Sequence, residues 1–96
     1  MAVGDVVSGL QSIASVNYLD IQPAGTEEWI IHNIYHEFDV VVVWYDGANS
    51  INFHTSTGAG ILARFTFHVN NARWIRVYNP DGNAKMIGYD GVVSRM

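Results

Sequence analysis

The chain has 96 residues, of which 49% are hydrophobic and 15% charged, with 9 glycines, 2 prolines and no cysteine. This length holds one domain, the apolar content excludes disorder for the bulk of the chain, and the missing cysteine removes disulfide frameworks, thiol nucleophiles and cysteine-ligated zinc. The net charge is −4, and Arg64, Arg73, Arg76, Lys85 and Arg95 are scattered, which leaves no basic footprint for a phosphate backbone and no nucleic-acid partner.

Residues 1–15 read as an N-terminal arm outside the core. Val6, Val7, Leu10 and Ile13 are spaced to suit one or two helical turns, and the arm either frays or packs on a neighbouring subunit. Met1 to Asp5 carry no positive n-region, and the longest apolar run, Val40 to Tyr45, is far short of the roughly 20 residues that span a bilayer. The expectation is a soluble product of the cytoplasm with no membrane partner.

Residues 16–96 read as a single all-β domain, because turn residues recur about every 8 to 12 positions. Val16 to Gln22 is a strand closed by Pro23-Ala24-Gly25-Thr26. In Glu28 to His36, Trp29, Ile31, Asn33 and Tyr35 share one face while Ile30, His32, Ile34 and His36 share the other. Val40 to Tyr45 has no polar break, the mark of a strand covered on both sides, with a second chain as one candidate cover.

Asp46-Gly47-Ala48-Asn49 is a hairpin turn leading to a strand from Ser50 to His54, and Thr55 to Gly60 is a surface loop. Ile61, Ala63, Phe65, Phe67 and Val69 then alternate with Leu62, Arg64, Thr66 and His68, the pattern of a half-buried strand. In Arg73 to Tyr78, Ile75 and Val77 alternate with Trp74, Arg76 and Tyr78. Asn79 to Asn83 is a turn cluster, and Ala84 to Tyr89 is the last strand, followed by Asp90-Gly91. About seven short strands make an antiparallel β-sandwich or small jelly roll with a short N-terminal arm. Tyr45-Asp46-Gly47 and Tyr89-Asp90-Gly91 open the same Tyr-Asp-Gly-x-x-Ser pattern, either two matched strand ends or a chance recurrence.

Site chemistry is sparse. His32 and His36 share a strand face, but strand positions four apart lie roughly 13 Å from each other, too far to hold one ion within a chain. Histidines converging on an oligomer axis are a separate arrangement that spacing leaves open. Glu27 and Glu28 diverge if extended, and Asp46, Asp81 and Asp90 are explained by turns. Ser50, His54 and Asp46 make a triad only on paper, without a nucleophile elbow. Gly58-Ala59-Gly60 lacks the following helix of a phosphate cradle. No catalytic, cofactor-binding or metal-ligating residue is assigned.

Mean hydropathy is positive, +0.09, and the chain carries 3 Trp, 5 Tyr and 4 Phe, more apolar bulk than a domain this small buries alone. Part of it is therefore expected at an interface. The candidates are Val6 and Leu10 in the arm, Trp29 and Tyr35, Val41, Val43 and Tyr45, and Trp74 and Tyr78. Surface Trp and Tyr also suit the apolar faces of sugar rings.

The segment Asp20-Ile21-Gln22-Pro23-Ala24-Gly25-Thr26-Glu27-Glu28-Trp29-Ile30-Ile31-His32-Asn33-Ile34, followed by Tyr45-Asp46-Gly47, Asn79-x-x-Gly82 and Ile87-Gly88-Tyr89-Asp90-Gly91, resembles small virion proteins of tailed bacteriophages. The resemblance runs from about residue 9 onward. It implies a cysteine-free all-β virion protein of the head-decoration (cement) kind, a homo-oligomer, with a trimer favoured, that binds the major capsid protein or other virion proteins. The alternative it leaves is a tail or collar component whose sandwich binds a host glycan.

Overall fold

The computed structural model describes residues 2–58, 60–62 and 66–96, without the side chains of residues 56, 61 and 62. The described residues form nine strands and no helix: β1 (Val6–Ile13), β2 (Tyr18–Ile21), β3 (Glu28–His36), β4 (Val40–Tyr45), β5 (Ser50–Ser56), β6 (Gly60–Leu62), β7 (Phe67–Val69), β8 (Trp74–Tyr78) and β9 (Lys85–Arg95). One antiparallel sheet runs β1-β9-β3-β6, with β7 also on β3, and the other runs β2-β8-β4-β5. Strand β6 pairs with Ile34 to His36 and β7 with Trp29 to Ile31, so the two act as one interrupted strand along one edge of β3. Counted so, the order is that of an eight-stranded jelly roll, two four-stranded sheets face to face. The middle of the strand expected from Ile61 to Val69 lies outside the described residues.

Inner rows of both sheets make one core. Ile21, Ile31, Ile34, Val40, Val42, Ile75, Val77 and Ile87 are wholly excluded from solvent, and Trp29, Trp44 and Tyr89 pack at its margin. The expected alternation holds best in β8, where Ile75 and Val77 are buried and Trp74, Arg76 and Tyr78 are half-buried on the other face.

Three sequence expectations are corrected. Residues 6–13 are no helical arm: β1 pairs with β9 along its whole length, and Val7 and Ile13 are core residues at 4% and 5% exposure. Ser8, Gly9, Gln11 and Ser12 mask the two-residue period, which only the β9 partner reveals. In β3 the register against β9 shifts between Ile31 and Asn33, inserting one residue. Ile31, Ile34 and His36 therefore all turn inward while His32 and Tyr35 are exposed, so Trp29 and Tyr35 do not share a face. Third, Asp90-Gly91 does not end a strand, since β9 continues to Arg95 between β1 and β3.

The two Tyr-Asp-Gly motifs therefore differ in structure. At Asp46 the carboxylate accepts hydrogen bonds from the N–H groups of Asn49 (2.8 Å) and Ala48 (3.1 Å), and Gly47 takes a φ of 96°. Those two donors hold the Asp46 carboxyl below its ordinary pKa. Asp90 instead sits in mid-strand.

Lys85, at 3% exposure, closes one end of the core: its Nζ donates to the Asp39 carbonyl (2.8 Å) and to Asp81 Oδ2 (2.6 Å). Asp81→Ala strands that ammonium with a single neutral acceptor and is expected to cost about 2 kcal/mol in urea unfolding. A cost indistinguishable from zero would show that the ammonium reaches water.

Candidate functional site

The nine candidate interface residues divide among three places. Val41, Val43, Tyr45, Trp74 and Tyr78 converge on the outer face of the second sheet. Val6, Leu10 and Tyr35 lie on the outer face of the first. Trp29 belongs to neither; it stacks on Tyr89 at the core margin, ring centroids 6.3 Å apart, with its Nε1 donating to Glu27 Oε1 (2.9 Å).

The outer face of the second sheet is set by register. One row reads Tyr18, Tyr78, Val41, Thr55 across β2, β8, β4 and β5, the next reads Asp20, Arg76, Val43, Asn52, and a third brings Trp74 beside Tyr45 and Ser50. Arg76 is the hub: its Nε and Nη2 donate to Asp20 Oδ1 (2.7 Å) and Oδ2 (3.0 Å), and its Nη1 to the Tyr45 hydroxyl (3.2 Å). The guanidinium carbon lies 3.5 Å from the Tyr18 ring centroid and 4.8 Å from that of Tyr45. The bidentate bond to Asp20 raises the Arg76 pKa above its ordinary value. Tyr45 is also held by Trp74, stacked at 5.1 Å with ring planes 4° apart. Beside this cluster is a cleft of about 380 Å³ lined by Val41 and Val43, Tyr18 and Tyr78, and Tyr45, Ser50 and Asn52.

On the outer face of the first sheet, Leu10 is 65% exposed and its Cδ1 occupies the space that a Cβ at Gly88 would need. Asp90 accepts from Asn33 Nδ2 (2.7 Å) and from the Tyr35 hydroxyl (2.6 Å), and that bond raises the Tyr35 pKa. Val6, at 73% exposure, extends the apolar strip along β1.

An apolar groove of about 590 Å³ opens between the sheets at the edge opposite β1, lined by residues of both β5 and β7. Trp44, Ile51, Phe53, Phe67, Val69 and Ile75 line it, and the rings of Phe53 and Phe67 lie 5.8 Å apart. The sequence reading missed this groove because its walls come from β4, β5, β7 and β8, which only the sheet order brings to one edge. It also missed Tyr18, Asp20 and Arg76, although Tyr18-x-Asp20 and Trp74-x-Arg76-x-Tyr78 carry opposite charges at matching strand parity.

Other chemistry does not assemble among the described residues. Ser50 pairs with Tyr45 in an outer row while His54 pairs with Val42 in an inner one, so the paper triad does not form. No group of three or more metal-ligating side chains is placed to hold an ion, and no helix is long and apolar enough to cross a membrane. No protein-family model matches the chain and no curated protein matches it either.

Proposed function

We propose that the protein is a non-enzymatic structural component of a bacteriophage virion, a decoration subunit that binds the head shell as a homotrimer. The observation that carries this reading is the pairing of an apolar strip on one edge of the sandwich, Val3, Val6 and Leu10, with the apolar groove of Ile51, Phe53 and Phe67 on the opposite edge. Opposite and unlike patches make a head-to-tail contact, which gives a ring where the rotation between neighbours closes and a filament where it does not; the ring is the form proposed here. Strand β1 adds a free edge of eight residues with no charge, no proline and no bulge, the devices that keep edges apart.

Size agrees with this arrangement. A standard interface takes about 800 Å² from each partner, and a ring subunit gives one patch and receives another, so together they cover about a third of the chain's 5343 Å². That accounts for the apolar excess in a small domain. Contacts to a shell repeated over many subunits then hold firmly although each is weak alone.

Light scattering is expected to return three times the chain mass of 10.7 kDa. Leu10→Asp and Ile51→Asp are each expected to give single chains. Mixed together they restore one intact contact, the strip of the second in the groove of the first, and give pairs that cannot close. A wild type that stays single and does not bind phage heads stripped of their decoration overturns the reading; a single chain that still binds heads removes the ring and keeps the shell role.

A further inference from the structure

We infer that the cleft on the outer face of β2, β8, β4 and β5 binds a neutral pyranose unit of a polysaccharide. This goes beyond the structural role and does not depend on it, because the cleft lies within one chain and on a different face from the β1 strip.

The ligand class follows from what the cleft presents. Its floor is Val41 and Val43, and Val43 is only 6% exposed although it points away from the core. A floor of branched methyl groups between tyrosine rings suits the C–H face of a sugar ring. Around it stand groups that donate and accept within a few ångströms of each other. Arg76 has spent three of its five N–H donors on Asp20 and Tyr45. Asn52, exposed at the far side, offers an amide that both donates and accepts, and Ser50 in the same lining adds a hydroxyl that does the same. A hydroxyl group is donor and acceptor at once, and adjacent ring hydroxyls match such an interleaved set.

Charge decides between ligands. Arg76 is the one charged residue in the lining, and its bidentate pairing to Asp20 neutralises it, so the cleft offers no unpaired charge to hold a phosphate or a uronate. A protein partner with an apolar surface would have to desolvate the ion pair without replacing its water, which is costly. A polyol replaces that water hydroxyl for hydroxyl. The volume of about 380 Å³ falls at the small end of ligand pockets. The geometry is also preformed, because Trp74 holds the Tyr45 ring and Asp20 holds Arg76, so little ordering is left to oppose binding.

The test uses the full chain on an array of malto-, cello-, manno- and galacto-hexasaccharides, with hyaluronan oligosaccharides and sialyllactose as anionic controls, and titrates each array hit by calorimetry. Binding to at least one neutral series is expected, with no binding to the anionic controls. Tyr18→Ala, at a rim position 45% exposed, is expected to weaken binding about fivefold to tenfold through loss of one aromatic wall. Asn52→Ala, also at the rim, gives a second and milder loss. Leu10→Asp, on the other sheet, leaves sugar binding unchanged whatever it does to the oligomer. The inference is overturned if no neutral hexasaccharide binds at millimolar concentration, if the anionic controls bind as tightly as the neutral series, or if Tyr18→Ala and Asn52→Ala both bind like the wild type.

Discussion

Gly91→Ala is expected to cost about 3 kcal/mol or more, a large share of the stability of a domain this small. Gly91 lies in the middle of β9, opposite Val7 of β1 on one side and Ile31 of β3 on the other. A Cβ there would lie far inside van der Waals contact distance of the Ile30 carbonyl oxygen and 2.9 Å from Ile31 Cα. Each of these neighbours is backbone, so no rotamer change relieves the clash, and β3 itself would have to move at its bulge. Gly25→Ala is the control. That turn glycine has a φ of 62° with open space around it, so an alanine pays only the left-handed backbone cost of about 1 kcal/mol. Urea unfolding of the two variants side by side checks the prediction, and equal costs would refute it.

Asn79→Asp is expected to lower the stability at pH 7 by about 4 kcal/mol, a fall in Tm of roughly 15–30 °C. Asn79 is fully buried. Its Nδ2 donates to the carbonyls of Ile13 (3.0 Å), Ala14 (3.2 Å) and Asn83 (2.8 Å), its Oδ1 accepts from the Asp81 N–H (3.1 Å), and its own N–H reaches the Asn17 carbonyl (2.9 Å). One amide thus ties the end of β1, the β1–β2 turn and the β8–β9 turn together. An aspartate has the same shape but aims a carboxylate at three carbonyl oxygens. Its folded pKa must therefore rise above the unfolded value near 3.9. The sign follows: the deficit is smallest below about pH 4, where the acid is protonated in both states, and grows as pH rises through the folded pKa. Asn79→Ala should lose about 2 kcal/mol with little pH dependence. Thermal unfolding at several pH values separates the two variants, and a deficit for Asn79→Asp that shrinks as pH rises would sink the argument.

The two proposals use separate surfaces. The proposed association runs edge to edge through the β1 strip and the β5–β7 groove, whereas the Arg76 cleft lies on a sheet face. A ring closed through the edges leaves that face open to ligand, so the two proposals are compatible and fail independently.

Strand type, turn placement and much of the core were legible in the chain itself. Ile75 and Val77 against Trp74, Arg76 and Tyr78 is a two-residue period that survives folding unchanged, because β8 is paired on both sides without a register shift. The Asp46-Gly47 turn was legible for the same kind of reason: its hydrogen bonds run to residues two and three positions on. The all-β class, a sandwich or small jelly roll, follows from such local signals, short strands and frequent turns with no helical period between them, whereas the strand order that makes it a jelly roll does not.

What local signals could not decide was anything that depends on a partner strand far along the chain. Residues 6–13 become a strand because β9, about eighty residues later, offers them a full ladder. The bulge in β3 separates Trp29 from Tyr35 because β9 and β3 must both pair through Gly91 and Asp90 with unequal residue counts. Arg76 becomes the hub of a cleft only when β2 brings Tyr18 and Asp20 beside it and β4 brings Tyr45. Periodicity reports which residues of one strand share a face. Which faces meet, and which side chains from different strands converge on one spot, is set by register and sheet order, and those are fixed by long-range hydrogen bonds and core packing that no short window of sequence contains.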